Sequence, residues 1–412
     1  MTSSSISPSG ARDAWRAVVA GGLVMGCALG IRHVQGLFLL PMTLERGWPR
    51  ETFALAIALQ NLCWGLAQPV TGWIADRFGT ARVVATGTLL YGAGLAAMAH
   101  STSAGALALG AGVLVGCAQS CTTFGAVYAA ISRLVAPERR GAALGVAGAL
   151  GGLGQFAMVP LAQGLQAWLG WSAALVVLGA LVALALPAAR ELDDRHTHGP
   201  ATGPAAGPGL RETLGAAFGE RGFWLLNAGF LACGFQLAFI ASHLPAYLLD
   251  NGLSARTAAT GLALVALANI AGTWLAGMLG GRHSRKRLLA GLYLARSAAM
   301  ALYLLAPPTA ATTWAFCAAM GLLWLGTVPL TNGIVAGVFG ARWLGTLFGF
   351  VFLGHQLGAF LGVWLGGLAY DRTHSYGAVW AGAMLLGVVA AGLHLWIDER
   401  PVDAGGAARM LS

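Results

Sequence analysis

Long apolar runs, separated by short polar segments, fill nearly the whole chain. The runs are continuous and do not alternate between apolar and polar residues, as the strands of a membrane barrel do. A helix needs about 20 apolar residues to cross the hydrocarbon core of a bilayer. The pattern therefore predicts an all-α membrane protein with twelve transmembrane helices, near residues 16–41, 52–75, 82–99, 104–132, 141–166, 171–189, 222–247, 256–280, 288–306, 311–338, 343–369 and 376–397.

The longest polar segment divides the predicted helices into six and six. It covers residues 190–221, and its Gly-, Pro- and Ala-rich middle is typical of a linker. A shift of 205 positions aligns Gly72 with Gly277, which together with similar matches indicates an internal repeat. We expect two pseudo-symmetric six-helix halves, residues 1–189 and 222–412, joined by a cytoplasmic linker.

The composition argues against a soluble enzyme. Only 9% of the 412 residues are charged, whereas soluble domains have about 25%. The sequence has no phosphate-binding loop, no Cys/His set with metal-ligand spacing and no paired intramembrane carboxylates, so we expect no enzyme activity, no cofactor and no metal site. Four linker residues resemble metal ligands in type, but such mixed charges are typical of a solvated loop: Asp193, Asp194, His196 and His198.

The net charge of +9 does not indicate a nucleic-acid partner, because the basic residues lie mostly in short loops between apolar runs. Basic loop residues favour the cytoplasmic side of a membrane. With the N-terminus in the cytoplasm, eighteen of the 24 basic residues fall on the inner side. Only four fall on the outer side, namely Arg46, Arg50, Arg256 and Arg372. The bias predicts that both termini are cytoplasmic.

A polar motif stands between the second and third predicted helices, with the sequence GWIADRFGTAR. Asp76 lies at a helix end, where arginines of neighbouring helices can pair with it, and Gly79 permits a tight turn. The motif resembles the cytoplasmic loop motif of the major facilitator superfamily. The resemblance implies conformational gating by Gly72, Asp76, Arg77, Gly79 and Arg82. The alternative is a polar loop that only connects two helices.

Two further stretches are similar to bacterial monocarboxylate-transporter-like members of that superfamily. They are residues 30–48, beginning GIRHVQG, and residues 60–69, QNLCWGLAQP. The resemblance implies a transporter of the bacterial inner membrane. The chain departs from the family in its eighth predicted helix, where relatives often have an arginine and this sequence offers Asn269 and Thr273 instead.

Charged residues inside the predicted helices are candidates for function, because charge is costly in a bilayer. No acidic residue falls within a predicted helix, but Arg32 and Arg296 do. A cavity with this charge favours a small organic anion. Arg32 can bind a carboxylate with two parallel hydrogen bonds, or its side chain can extend to the membrane surface instead. Arg296 can serve substrate binding or gating, or it can hold helices together.

Uncharged polar residues complete the predicted substrate site. His33 and His243 can each carry a coupled proton, because histidine titrates near neutral pH, or each can be a packing histidine. Other polar side chains can line the cavity or form hydrogen bonds between helices. The full set of candidate substrate-binding residues is Arg32, His33, Gln119, Thr123, Gln236, His243, Arg296, Trp324 and Thr327.

These observations predict a secondary active transporter. We expect it to carry a small organic anion, with a monocarboxylate as substrate and a proton as the coupled ion, by alternating access. Two alternatives stay open at this point. One is an exporter of amphipathic compounds on the same fold, and the other is a ligand sensor that has a transporter scaffold but no net flux.

Overall fold

The computed structural model describes residues 8–136, 139–195, 209–340 and 343–401, apart from the side chains of residues 8–13, 76, 141 and 142. All regular structure in these residues is helical. The helices are α1 (Pro8–Val34), α2 (Leu39–Arg46), α3 (Arg50–Phe78), α4 (Thr80–Ala99), α5 (Ala104–Leu107), α6 (Val115–Thr122), α7 (Phe124–Leu134), α8 (Arg140–Leu184), α9 (Leu210–Gly219), α10 (Arg221–Asp250), α11 (Ala255–Gly280), α12 (Arg285–Leu305), α13 (Ala310–Leu322), α14 (Thr327–Phe339), α15 (Leu344–Thr373) and α16 (Gly377–Leu395).

The prediction of twelve membrane crossings is confirmed. Eleven helical segments of the described ranges are long and apolar enough to span a bilayer. One of them contains α8, which is 45 residues long and is interrupted at Gly170, where φ is 80° and ψ is 167°. Glycine adopts this conformation readily because it has no side chain. The interruption divides α8 into two crossings, between the helices predicted at 141–166 and 171–189.

Three predicted helices are not continuous. The first crossing contains a 3-10 segment, Gln35–Phe38, between α1 and α2. The fourth is interrupted at Thr123, where φ is −115° and ψ is −159°. The tenth is interrupted between α13 and α14. Backbone groups freed inside a membrane need polar partners, and the Thr123 hydroxyl supplies one by donating to the carbonyl of Gln119 at 2.6 Å.

Close glycine contacts hold the long helices together. Gly154 of α8 lies directly against Gly26 of α1, and a Cβ at Gly154 would overlap the Gly26 backbone. In α15, Gly358 and Gly362 pack against the α10 backbone in the same way. Small residues at four-residue spacing let membrane helices approach closely, so this part of the packing depends on backbone contact rather than on large side chains.

The N-terminal helices, α1–α8, meet the C-terminal helices, α10–α16, mainly where α3 packs on α15 and α8 packs on α11. Polar contacts between the two groups gather at one end of the molecule, around Arg50 and Asp250, which we call the Arg50 end. At the opposite end, the Arg133 end, Arg133 pairs with Asp194. At this end the Lys286 ammonium also donates to the carbonyl of Ile397 at 2.6 Å. Each of these two contacts stays within one group of helices and does not connect the two groups.

Candidate functional site

The Arg32 side chain lies at the boundary between the two groups of helices. Its Nη2 donates to Asn61 Oδ1 of α3 at 2.5 Å, and its guanidinium lies 5.1 Å from the ring centre of Trp64. Asn61 is itself fixed, because its amide donates to the carbonyl of Ile57 at 2.8 Å. Arg32 Nε is buried and has no hydrogen-bond partner among the described residues. The guanidinium is thus oriented by α3 and keeps a donor for a ligand.

The C-terminal helices present aromatic and amide groups opposite Arg32. The Phe352 ring of α15 meets the Trp64 ring edge-on, with 5.1 Å between the ring centres. His355 stacks on Phe352 at 5.7 Å and approaches Gln356, with 3.1 Å between Nδ1 and Oε1. Gln356 Nε2 is buried without a partner in the described part of the chain. The Trp64 ring beside Arg32 thus packs on an aromatic group of the C-terminal helices, and an unused amide donor lies one turn further along α15.

Asn61 and Phe352 are not among the residues that the sequence predicts for the site. Asn61 stands three residues before Trp64 in the stretch QNLCWGLAQP. Residues at this spacing are neighbours on a helix surface, so the sequence could have indicated that the two side chains belong to one site. Phe352 lies in an apolar run that gives no indication of which helix face meets the N-terminal helices.

His33 points away from Arg32, toward the C-terminal helices. Its Nε2 donates to the carbonyl of Leu262 in α11 at 2.9 Å. Its ring meets the indole of Trp324 edge-on, with 6.5 Å between the ring centres. The two consecutive residues therefore face different neighbours, as the rotation of about 100° per residue in a helix requires.

Gln119 and Thr123 lie in a network within the N-terminal helices. Gln119 Nε2 donates to Gln60 Oε1 at 3.2 Å and to the Tyr91 hydroxyl at 3.3 Å. Gln60 in turn donates to the carbonyl of Ala111 at 2.7 Å. Both glutamines are fully buried. These contacts connect α3, α4 and α6, and the structure does not bring Gln119 or Thr123 into hydrogen-bond contact with Arg32.

A second buried network lies within the C-terminal helices. Gln236 of α10 donates to the carbonyl of Ala383 at 2.9 Å. Arg296 Nη1 lies 3.4 Å from Gln236 Oε1, to which it donates, and 3.3 Å from Cys233 Sγ. Cys233 Sγ also contacts the Thr327 hydroxyl at 3.3 Å. Four candidates thus come together, because Arg296 also contacts the backbone of Trp324.

His243 lies apart from both networks, close to the Arg50 end. Its Nε2 donates to the carbonyl of Val363 at 2.7 Å, and its ring centre lies 5.3 Å from that of Tyr376. The ring also packs against Gly366, where a Cβ would overlap it. Although His243 and Gln236 are both on α10, they contact different neighbours.

The motif between α3 and α4 lies at the Arg133 end of the molecule. Gly72 has no close helix contact, because a Cβ there would meet nothing within 4 Å among the described atoms. Arg77 is exposed and lies over the Trp73 ring at 5.6 Å, and Arg82 is also exposed. Gly79 has a φ of 92° and packs against the side chain of Arg195. The Asp76 side chain lies outside the described residues.

A different carboxylate, Asp194, organises this end of the molecule. It accepts hydrogen bonds from the Thr80 backbone N–H at 2.9 Å, from the Thr80 hydroxyl at 2.7 Å and from Arg133 Nε at 2.7 Å. Its side chain is fully buried. The prediction that Asp194 lies in a solvated loop is wrong. The adjacent Asp193 pairs with Arg195, which raises the pKa of that guanidinium. His196 and His198 lie outside the described residues.

The described helices and the cationic group between them define a multi-spanning membrane protein of the transporter type. The Major Facilitator Superfamily profile matches residues 19–363. The chain therefore belongs to the Major Facilitator Superfamily, a family of transporters rather than enzymes.

Relatives and a solved structure are similar over most of their length. The chain is 26% identical over 363 residues to the "Uncharacterized MFS-type transporter YcxA" of Bacillus subtilis, covering 84% of this chain and 85% of that one. It is 29% identical over 392 residues to Monocarboxylate transporter 11 of Mus musculus, covering 90% and 85%. A crystal structure of a bacterial homolog to the human lysosomal transporter Spinster matches 95% of both chains, with a TM-score of 0.68 and 16% identity.

Proposed function

We propose that this protein is a secondary active transporter that carries a small monocarboxylate together with a proton. The observation that supports this most directly is Arg32, a guanidinium at the boundary between the two groups of helices with an unpartnered Nε. A guanidinium can bind a carboxylate through two parallel N–H donors. The similarity to a protein named as a monocarboxylate transporter points to the same substrate class.

The charge of the described helices favours an anion over a cation. The described carboxylates of the crossings lie near helix ends. They include Glu45, Glu51, Asp250 and Asp371. The central charged groups are Arg32 and Arg296, and Arg296 donates to backbone carbonyls. Arg32 is therefore the cation that a carboxylate can approach. The rings of Trp64 and Phe352 suit the short apolar part of a monocarboxylate.

His33 is the group that we assign to the coupled proton. It adjoins Arg32 in the chain, and it contacts the C-terminal helices through Leu262 and Trp324. Protonation of His33 would thus change a contact between the two groups of helices next to the substrate site. His243 is the less suitable candidate, because its ring packs against Gly366 and Tyr376 away from Arg32.

Transport would occur by alternating access between residues 1–189 and 222–412, with 190–221 as the linker. In this proposal the Arg133 end faces the cytoplasm and the Arg50 end faces outward, as the distribution of basic residues predicts. The protein would lie in a bacterial inner membrane. The Arg50–Asp250 ion pair then belongs to the outer closure of an inward-facing state.

Uptake of labelled lactate and pyruvate into proteoliposomes, with and without an inward proton gradient, tests the function. We expect uptake that the gradient stimulates and that an excess of unlabelled lactate suppresses. An uptake rate that is the same with and without the proton gradient would contradict proton coupling. Binding of lactate without any uptake would instead support a sensor, and export of amphipathic dyes without lactate uptake would support an exporter.

A further inference from the structure

The tenth crossing is broken at membrane depth, between the end of α13 at Leu322 and the start of α14 at Thr327. The intervening residues are Leu323, Trp324, Leu325 and Gly326, which are apolar and cannot satisfy the backbone with their own side chains. Irregular backbone in a membrane is tolerated only where other protein groups or a watery cavity supply partners. The N–H groups of Leu323 and Trp324 still donate to carbonyls of α13, but the carbonyls of these two residues and the N–H of Leu325 find their partners on two other helices.

Arg296 of α12 binds the carbonyl side of the break. Its Nε donates to the carbonyl of Leu323 at 2.8 Å, and its Nη2 donates to the carbonyls of Leu323 and Trp324, both at 2.5 Å. The side chain is fully buried. These carbonyls follow the C-terminus of α13, where the helix dipole favours a positive charge. The guanidinium thus has backbone partners that explain its position without a bound anion.

Asn269 of α11 binds the N–H side of the same break. Its Oδ1 accepts a hydrogen bond from the backbone N–H of Leu325 at 3.0 Å and another from the Thr273 hydroxyl at 3.0 Å. Both peptide groups that flank Trp324 are therefore held by side chains of other helices: Arg296 binds both of them, and Asn269 binds the second. Its indole meets the His33 ring edge-on, as described above, and it is 5% exposed.

We propose that Arg296 and Asn269 are positioning residues that hold the break in the tenth crossing so that Trp324 packs against His33 beside the substrate site. This inference rests on the proposed function, because the site in question is the one at Arg32. It assigns Arg296 to the backbone of Leu323 and Trp324 rather than to the substrate. Loss of either residue would let the 323–326 segment relax, and the indole would leave its place against His33.

Transport kinetics test the consequence for substrate binding. In Arg296→Met and Trp324→Phe we expect the KM for lactate to rise about tenfold while kcat changes less than about twofold, because a displaced site wall weakens binding more than turnover. Arg296→Lys, which can still donate to one carbonyl, should recover part of the affinity. Arg287→Met is the matched control, because Arg287 is an exposed arginine on the same helix.

A spectroscopic measurement tests the positioning itself and needs no substrate. The protein is labelled with 5-fluorotryptophan, and Trp324→Phe identifies the fluorine resonance of residue 324. We expect Arg296→Met and Asn269→Ala to shift or broaden that resonance and Arg287→Met to leave it unchanged. An unchanged resonance in Asn269→Ala and in folded Arg296→Met protein would overturn the inference. If wild-type protein carries no lactate but the resonance shifts, the proposed function fails and the positioning stands.

Discussion

The guanidinium of Arg50 donates two parallel hydrogen bonds to the carboxylate of Asp250, from Nη1 to Oδ2 at 2.6 Å and from Nη2 to Oδ1 at 2.7 Å. The pair joins α3 to α10 and so connects the two groups of helices. Around it, Asp371 of α15 accepts hydrogen bonds from the first two backbone N–H groups of α3, at 3.0 and 2.6 Å. The Tyr370 ring lies 3.5 Å from the Arg50 guanidinium. Any state that is open at this end must break these contacts.

Asp250→Asn should therefore shift the protein toward a state that is open at the Arg50 end. The pair is partly exposed, with side-chain exposures of 11% and 25%, so we expect about 1 kcal/mol, or about a fivefold shift in the equilibrium. Ser242 lies beside Gly36 at the contact between the two groups of helices. In Ser242→Cys protein, labelling by an impermeant maleimide should rise about fivefold when Asp250→Asn is added.

The control for this experiment is Asn251→Ser, which changes an exposed neighbour of Asp250 whose amide donates to the nearby carbonyl of Tyr247 in the same helix. Ser242→Cys labelling should not change with this substitution. Wild-type chain without Ser242→Cys gives the background from native cysteines. Equal labelling in the Asp250→Asn and Asn251→Ser proteins would mean that the Arg50–Asp250 ion pair does not stabilise the closed state of the Arg50 end.

Arg32→Gln should weaken carboxylate transport strongly. A hydrogen bond to a charged group contributes about 1.5–3 kcal/mol, so we expect the KM for lactate to rise about tenfold or more. Arg32→Lys should be intermediate, because an ammonium lacks the paired donors of a guanidinium. Arg256→Gln, which removes an exposed arginine at the start of α11, serves as the control. Wild-type kinetics in Arg32→Gln would exclude Arg32 from substrate binding.

The rate of lactate uptake should fall as the outer pH rises from about 5 to about 8, because a histidine loses its proton in that range. His33→Gln should flatten this dependence, whereas the exposed His100→Gln should preserve it. Asp398 will not contribute, since Arg400 beside it holds the pKa of its carboxyl at about 2. A pH profile that is identical in His33→Gln and wild-type protein would move the coupled proton to another group.

Hydropathy predicted the twelve crossings because a bilayer demands long apolar segments. It could not predict the break at 323–326, because the residues there are as apolar as those of the helices on either side. Arg32 was found as a charge within an apolar run, but its orientation depends on Asn61, 29 positions away in the chain. The partners of Arg296 are backbone carbonyls, which every residue has, so no residue pattern could indicate them.

Asp194→Asn should destabilise the protein far more than Asp193→Asn, although the two residues are adjacent. Asp194 is fully buried, accepts two hydrogen bonds from Thr80 at the start of α4 and pairs with Arg133. A hydrogen bond to a charged group contributes about 1.5–3 kcal/mol, and the substitution removes the charge that accepts these bonds, whereas the Arg133 side chain is 27% exposed and can still be hydrated. Asp193 pairs with Arg195 in a contact whose side chains are 26% and 48% exposed, and exposed pairs contribute about 0–1 kcal/mol. Thermal unfolding of the purified proteins in detergent should therefore show a much lower Tm for Asp194→Asn and a nearly unchanged Tm for Asp193→Asn. Equal Tm values would mean that the Arg133–Asp194–Thr80 contact does not stabilise this end of the transporter.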